Sequence, residues 1–270
     1  MTEPAPEGVL GAIVARTRRE LPRRRRRAAT LALPSPVAAL RRREATSEAL
    51  RRRRDGKPRV IAEVKFRSPS AGEIRPRRAG EAPRVARGYV AGGAAAVSVL
   101  ADGPAFGGSP LDVRRVAAAV PVPVLFKGFV LDEVQLDLAA RMGARLVLLL
   151  VRALSRETLE RLVRGAEARG LLPVVEAADE SELRVALATG AAVVGVNARD
   201  LRTFEVDAAL ARRCLEATPR SRIAVYMSGV RSREDLHAVA SGRADAVLIG
   251  EGLMRAPAPG KRLAGWLAIK

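Results

Sequence analysis

A chain of 270 residues with 48% hydrophobic side chains is long enough to bury a full core as one large domain. A single cysteine, Cys214, and a single histidine, His237, exclude an intrachain disulfide and a cysteine metal cage and argue against a histidine metal site or a Ser-His-Asp triad, so acid–base work falls to carboxylates and lysines. The net charge of +19 raises nucleic acid as a partner, but aromatics make up 3% and none interleaves with the arginine runs at 23–27, 41–43 and 51–54 to stack on bases; solvated helix faces are the better reading.

Residues 8–54 read as N-terminal helices, with Val9, Leu10, Ile13, Val14 and Thr17 at helical spacing and Pro34 and Pro36 breaking the run. Residues 1–7 lack the basic and apolar regions of a signal peptide, and no apolar run is long enough to span a membrane. With the lone cysteine, this sets a cytoplasmic location as the expectation. From Arg59 the pattern becomes an alternation of short apolar runs and amphipathic segments. Strands are expected at 60–65, 96–100, 123–127, 145–151, 172–176, 192–197, 222–227 and 245–250. Helices are expected near 83–92, 110–119, 131–142, 155–169, 179–188, 207–217, 231–241 and 260–269, with glycines 143, 170, 190 and 242 at helix-to-strand turns. Eight strands, each followed by a helix, fit an α/β fold: a (β/α)8 TIM barrel over 59–270, preceded by a helical extension over 1–58 packed on it. A doubly wound open sheet is the alternative, weakened by the lack of a G-x-G-x-x-G after the first strand.

The first strand carries an anomaly. Glu63 and Lys65 stand two residues apart in an apolar run, so both point to one face, the interior if the sheet closes. Two charges inside a core are costly unless they pair or open to a pocket, and a self-satisfied ion pair is the plainer of those two readings. Ser68-Pro69-Ser70-Ala71-Gly72 cannot continue the strand and is expected as a mobile loop. Lysine usage sharpens the anomaly. The 48 basic residues are 43 arginines and five lysines, yet Lys65 and Lys127 sit in strand-like runs. Lysine gives up a proton when buried and arginine in effect does not, so proton chemistry or phosphate contact is a reason to keep it; limited space is the other.

In such a barrel the C-terminal strand ends carry the site. Those ends read Glu63 and Lys65, Lys127, Glu176, Asn197 with Arg199, Ser228-Gly229, and Gly250-Glu251. The glycine-containing ends of the last two strands stand where barrels bind phosphate through backbone N–H groups. A phosphorylated small molecule is the expected substrate, with no metal, flavin or nicotinamide site.

These residues also resemble a known family, the indole-3-glycerol-phosphate synthases of tryptophan biosynthesis. Ile61-Ala62-Glu63-Val64-Lys65 with Ser68-Pro69-Ser70 is similar to that family's first-strand signature. Ser98-Val99-Leu100, Phe106-Gly107-Gly108-Ser109, Lys127-Gly128-Phe129, Asn197-Ala198-Arg199-Asp200-Leu201 and Leu248-Ile249-Gly250-Glu251 follow in family order. The resemblance implies a cytoplasmic carbon–carbon lyase (a carboxy-lyase, or decarboxylase) that closes an indole ring on 1-(2-carboxyphenylamino)-1-deoxyribulose 5-phosphate, losing carbon dioxide and water without a cofactor. It implies Lys127 as general acid, Glu176 and Glu63 in the later proton transfers, and Lys65 on the phosphate or carboxylate or sharing the acid role. Asn197 and Arg199 would hold sugar hydroxyls or the carboxylate, and Ser228, Gly229, Gly250 and Glu251 the phosphate. Ser68 joins the substrate contacts, and Pro69, Phe106, Phe129, Leu148 and Leu201 would wall the anthranilate ring. A monomer is expected, open to weak association with other tryptophan-pathway enzymes. Two positions depart from the family pattern: Gly128 stands where it usually has aspartate and Met227 where it usually has glutamate, each removing a carboxylate from the neighbourhood of the site. Two further readings stay open: a paralogue acting on a substituted anthranilate-derived substrate, and a non-catalytic basic scaffold or nucleic-acid-binding barrel.

Overall fold

The computed structural model describes residues 8–27, 32–200 and 205–268. Eight strands, β1 (Arg59–Val64), β2 (Ala96–Leu100), β3 (Val124–Lys127), β4 (Leu146–Leu150), β5 (Leu172–Ala177), β6 (Val193–Asn197), β7 (Ile223–Met227) and β8 (Ala246–Ile249), pair in parallel in sequence order. β1 pairs with both β2 and β8, which closes the barrel and excludes the open sheet. Each strand lies within one residue of the expected run at either end, because strands buried on both faces are near-continuous Val, Leu, Ile and Ala between turn residues.

Period-two alternation sorts the side chains into two cores. Val60, Ala62 and Val64 of β1, with Val97, Val99, Val147, Leu149 and Val194, face outward under the helices. Ile61, Leu125, Leu146, Leu148, Leu172, Val174, Val193, Ile223, Val225 and Leu248 fill the barrel interior. The inward positions one step further along are Glu63, Lys127, Glu176 and Asn197. The polar site is therefore the top layer of the interior, resting on a packed apolar floor.

Helices follow the strands: α1 (Gly8–Arg27), α2 (Pro36–Leu50), α3 (Glu81–Ala91), α4 (Gly103–Phe106), α5 (Pro110–Ala117), α6 (Glu133–Arg141), α7 (Arg156–Ala168), α8 (Glu180–Ala188), α9 (Ala208–Glu216), α10 (Arg233–Ala240), α11 (Glu251–Met254) and α12 (Pro259–Leu267). Several begin on a side chain that accepts from the first turn: Ser109, Asp132, Ser155, Asp179, Asp207 and Ser232 open α5 to α10 in order. Pro36 does not only end a run, since it opens α2 behind the Ser35 cap, where a missing N–H costs nothing. The short α4 and α11 and a 3-10 turn at Val151–Ala153 went unread in the sequence, being single turns without periodicity. The segment after β1, expected as a mobile loop, carries a two-residue antiparallel ribbon, Arg67–Ser68 against Gly72–Glu73, with the Ser68 hydroxyl accepting from Ala71 N at 3.2 Å.

The two N-terminal helices meet opposite ends of the barrel. In α1, Leu10, Ile13, Val14 and Thr17 are buried while Val9 is exposed, so the apolar stripe is one residue shorter than its spacing suggested. Arg16 pairs with Asp102 and Arg25 with Asp132, just past the ends of β2 and β3, so α1 lies on the mouth side. Beyond α2 and its fully buried Leu50, the Arg52 guanidinium donates to the carbonyls of Ala240 at 2.6 Å and Ala244 at 3.0 Å, fixing the entry into β1 beneath β8. No helix among the described residues is long and apolar enough to cross a membrane.

Candidate active site

At the centre lies Glu63, almost fully buried. Lys127 Nζ donates to its Oε2 at 3.0 Å and Lys65 Nζ to its Oε1 at 3.1 Å, while Ser98 Oγ on β2 donates to Oε2 at 3.3 Å. Burial alone would push this carboxyl up, but Lys127 and then Lys65 more than reverse it, holding Glu63 at about 2. Burial likewise pushes the Lys127 ammonium down, and Glu63, followed by Glu176, outweighs it, so Lys127 stands above the ordinary lysine range. The internal ion pair and the pocket are thus both real, because one carboxylate bridges two lysines at the base of a cavity. Gly250 makes this possible: a Cβ there would stand 2.6 Å from Glu63 Oε1. Gly250→Ala is expected to push the Glu63 carboxylate off its lysines, and a carboxyl titration should then find Glu63 above about 2.

Glu176, at the top of β5, is differently held. Its Oε1 accepts from Asn197 Nδ2 at 2.9 Å, and Asn197 Oδ1 accepts from Arg199 N at 3.0 Å. Asn197 is thus fixed between the carboxylate and the backbone of its own loop. Burial, reinforced by neighbouring Arg231, holds the Arg199 guanidinium below its ordinary value, with Glu251 opposing. At the same end, Ser228 and Gly229 are consecutive left-handed residues, φ 70° and 83°, Ser228 being the one non-glycine residue with positive φ among those described. Such strain, about 1–3 kcal/mol at a non-glycine residue, is typical of functional turns. Opposite, Phe106 and Phe129 stand with ring centroids 6.0 Å apart and planes tilted by 34°.

Apart from the fully buried Ser98, these groups line one cavity with about 980 Å³ of space, its open mouth included, enough for a drug-sized molecule. Glu63, Lys65, Ser68, Pro69, Phe106, Lys127, Phe129, Leu148, Glu176, Asn197, Arg199, Ser228, Gly229, Gly250 and Glu251 are all in its wall. Leu201 lies outside the described residues.

Comparison with known proteins decides what this barrel belongs to. The family model described as indole-3-glycerol phosphate synthase matches residues 10–264. The chain belongs to the indole-3-glycerol phosphate synthase family. Two synthases of Streptomyces coelicolor, named indole-3-glycerol phosphate synthase 1 and 2, are 46% and 45% identical to it; the first match spans 72% of each chain, the second 76% of this chain and 79% of the relative. The synthase of Mycolicibacterium smegmatis is 44% identical over 74% of this chain and 73% of its own. Among solved structures, KGPDC from Streptococcus mutans superposes with a TM-score of 0.59 at 13% identity, over 78% of this chain and 96% of that one, a likeness of fold alone.

The two departures from the synthase pattern fall in different places. A Cβ at Gly128 would meet the Phe126 ring at 3.0 Å and Ala101 at 3.5 Å, on the outward side of the strand direction. Gly128 is nevertheless in the cavity wall, so the departure does fall in the neighbourhood of the site, with its Cβ direction leading toward Phe126. Met227 does point inward, beside Asn197 and Leu248 in register, but it is buried with its Sδ over Gly195 and is not in the cavity wall. Sequence reasoning missed Ser98, Leu100, Leu150 and Arg231, all of them at or beside the cavity. Ser98 left only a faint signal, a lone hydroxyl in an apolar strand, because its register with Glu63 belongs to the fold.

The low Glu63 value sets a pH dependence. A carboxyl at about 2 when folded and near its ordinary 4.5 when unfolded contributes stability that is fully present above about 4.5 and is lost as pH falls through 2. The pH-dependent part is on the order of 3 kcal/mol. Denaturant unfolding of the wild type and Glu63→Gln should therefore show a difference that shrinks steadily below pH 4.5; a difference constant to pH 3 would refute the ion-pair assignment.

Proposed function

We propose that this cavity performs the synthase reaction: decarboxylating, dehydrating ring closure of 1-(2-carboxyphenylamino)-1-deoxyribulose 5-phosphate to indole-3-glycerol phosphate. The observation that carries the reading is the pairing at its floor. Lys127, a lysine whose charge Glu63 favours, is held by that carboxylate within electrostatic reach of Glu176, a carboxylate bonded to an amide rather than to a cation. That is an acid beside a base without histidine.

The substrate's phosphate sits at the left-handed Ser228-Gly229 turn and near Gly250, where glycine lets N–H groups approach an anion, with Arg199 and Arg231 supplying positive charge. Its aryl ring lies against Pro69, Phe106, Phe129 and Leu148. Lys127 donates a proton to the carbonyl oxygen as the ring carbon bonds to the carbonyl carbon. Carbon dioxide then leaves from the ring carbon that carried the carboxylate. Glu176 takes a proton from the carbon next to the hydroxyl-bearing one while Lys65, sharing the acid role, gives the hydroxyl the proton with which it leaves as water. Glu63, at about 2, is a weak base at neutral pH, and its part is to aim the two ammonium groups. Lys65, on the other Glu63 oxygen, faces the substrate's anionic groups. The chain works in the cytoplasm on this phosphorylated substrate.

Purified protein given that substrate should develop indole fluorescence and release carbon dioxide in equal amount. Substrate that binds and stays unchanged would assign the site to a different reaction.

A further inference from the structure

We propose that Arg152 is a positioning residue for this reaction, locking the ends of β4, β5 and β6 together so that Glu176 and the segment Asn197–Asp200 keep their register. This rests on the catalytic reading of Glu176 above.

Arg152 sits in the 3-10 turn that follows β4, outside the cavity wall, with its side chain 19% exposed. Its Nε donates to Glu182 Oε1 at 2.9 Å in the first turn of α8, and its Nη1 to Asp200 Oδ1 at 3.3 Å, just beyond β6. Each of those carboxylates is itself tied to the segment it serves. Glu182 Oε2 accepts from Ala178 N at 2.9 Å, directly after the strand that carries Glu176. Asp200 N donates to Glu205 O at 3.0 Å, Arg199 bridges Val206, and Asp207 N donates to Ala198 O at 2.8 Å, forming the base of the loop that leaves β6. One guanidinium therefore connects three neighbouring strand ends, and its charge also acts toward Glu176.

The fork is suited to this task. Arginine presents donors in a fixed plane, so two carboxylates bound at Nε and Nη1 are held at a set separation, which a single ammonium does not do. Removing it leaves Glu182 and Asp200 without the cation they share, and the bridge between the β5 and β6 ends is lost. Small displacements of a base relative to its substrate are costly: about 1 Å of misplacement can cost on the order of a hundredfold in rate.

The test uses the full chain with Arg152→Ala, Arg152→Lys and Arg152→Ala/Asp200→Asn, with kinetics referred to the concentration of folded protein. In Arg152→Ala, kcat is expected to fall roughly 10- to 100-fold with a smaller rise in KM. Lysine should restore part of kcat, and Asp200→Asn should add little to the alanine variant, since both remove the same bridge. Amide hydrogen exchange over residues 195–207, measured without substrate, should speed up in Arg152→Ala and not in the distant strand β2. A kcat per folded molecule equal to wild type, or unchanged exchange in that segment, overturns the proposal. The exchange result stands whatever substrate the wild type turns over, so failure of the synthase reading and failure of this one are distinguishable.

Discussion

Lys127→Arg is expected to lower kcat by roughly 10²–10⁴-fold, the usual span of general-acid catalysis, with substrate affinity little changed. The variant keeps the positive charge that pairs with Glu63 at 3.0 Å, so the ion-pair cluster and the fold should persist. What it loses is a transferable proton, because a guanidinium in effect stays protonated. Lys127 already stands above the ordinary lysine range, which guarantees that it is charged when substrate arrives. Donation remains favourable because the carbonyl oxygen becomes an alkoxide, far more basic than any amine, as the new ring bond forms. Single-turnover kinetics at saturating substrate, with a separate measurement of affinity, checks this. A near-normal chemical step in Lys127→Arg would move the proton's source to Lys65 or to water.

The importance of that residue is visible from residue usage alone. In a chain that writes arginine 43 times, a lysine in the run Val124–Lys127 marks a position that refused it. Glu63 and Lys65 were equally legible, since period two puts both on one face, and they do share a contact at 3.1 Å. The barrel itself follows from eight apolar runs with capped helices between them. Other features depend on contacts between residues distant in sequence and leave little local trace. Ser98 meets Glu63 only because β2 lies beside β1 in that register. Arg152 is one arginine among many until three strand ends converge on it. Gly128 reads as a lost carboxylate near the site, and only the fold shows that the position lies in the cavity wall with its Cβ direction leading toward Phe126. The ribbon after β1 contains only two-residue strands, too short for any periodicity to register.

Glu176→Gln is expected to lower kcat by roughly 10²–10⁴-fold as well, and for a reason that separates it from Glu63. Both carboxylates sit in the top layer of the barrel and are almost fully buried. Glu63 is bridged by two ammonium groups and lies at about 2, so it holds on to its negative charge and accepts a proton poorly. Glu176 is held by the Asn197 amide at 2.9 Å, and a glutamine there can still accept that hydrogen bond through its carbonyl oxygen. The substitution thus preserves the shape of the site and removes the base, with a lesser loss of the negative charge that helps hold Lys127 above its ordinary range. Glu63→Gln should act differently. Glu63 is the strongest influence holding the Lys127 ammonium above its ordinary range, so its removal lets Lys127 deprotonate more readily and moves the basic limb of the kcat–pH profile to lower pH. Glu176→Gln should be slow across the whole profile, and the shorter Glu176→Ala should recover part of its rate when formate is added as a replacement base. If formate restores Glu63→Ala instead, the base is Glu63 and the division of labour between the two carboxylates is reversed.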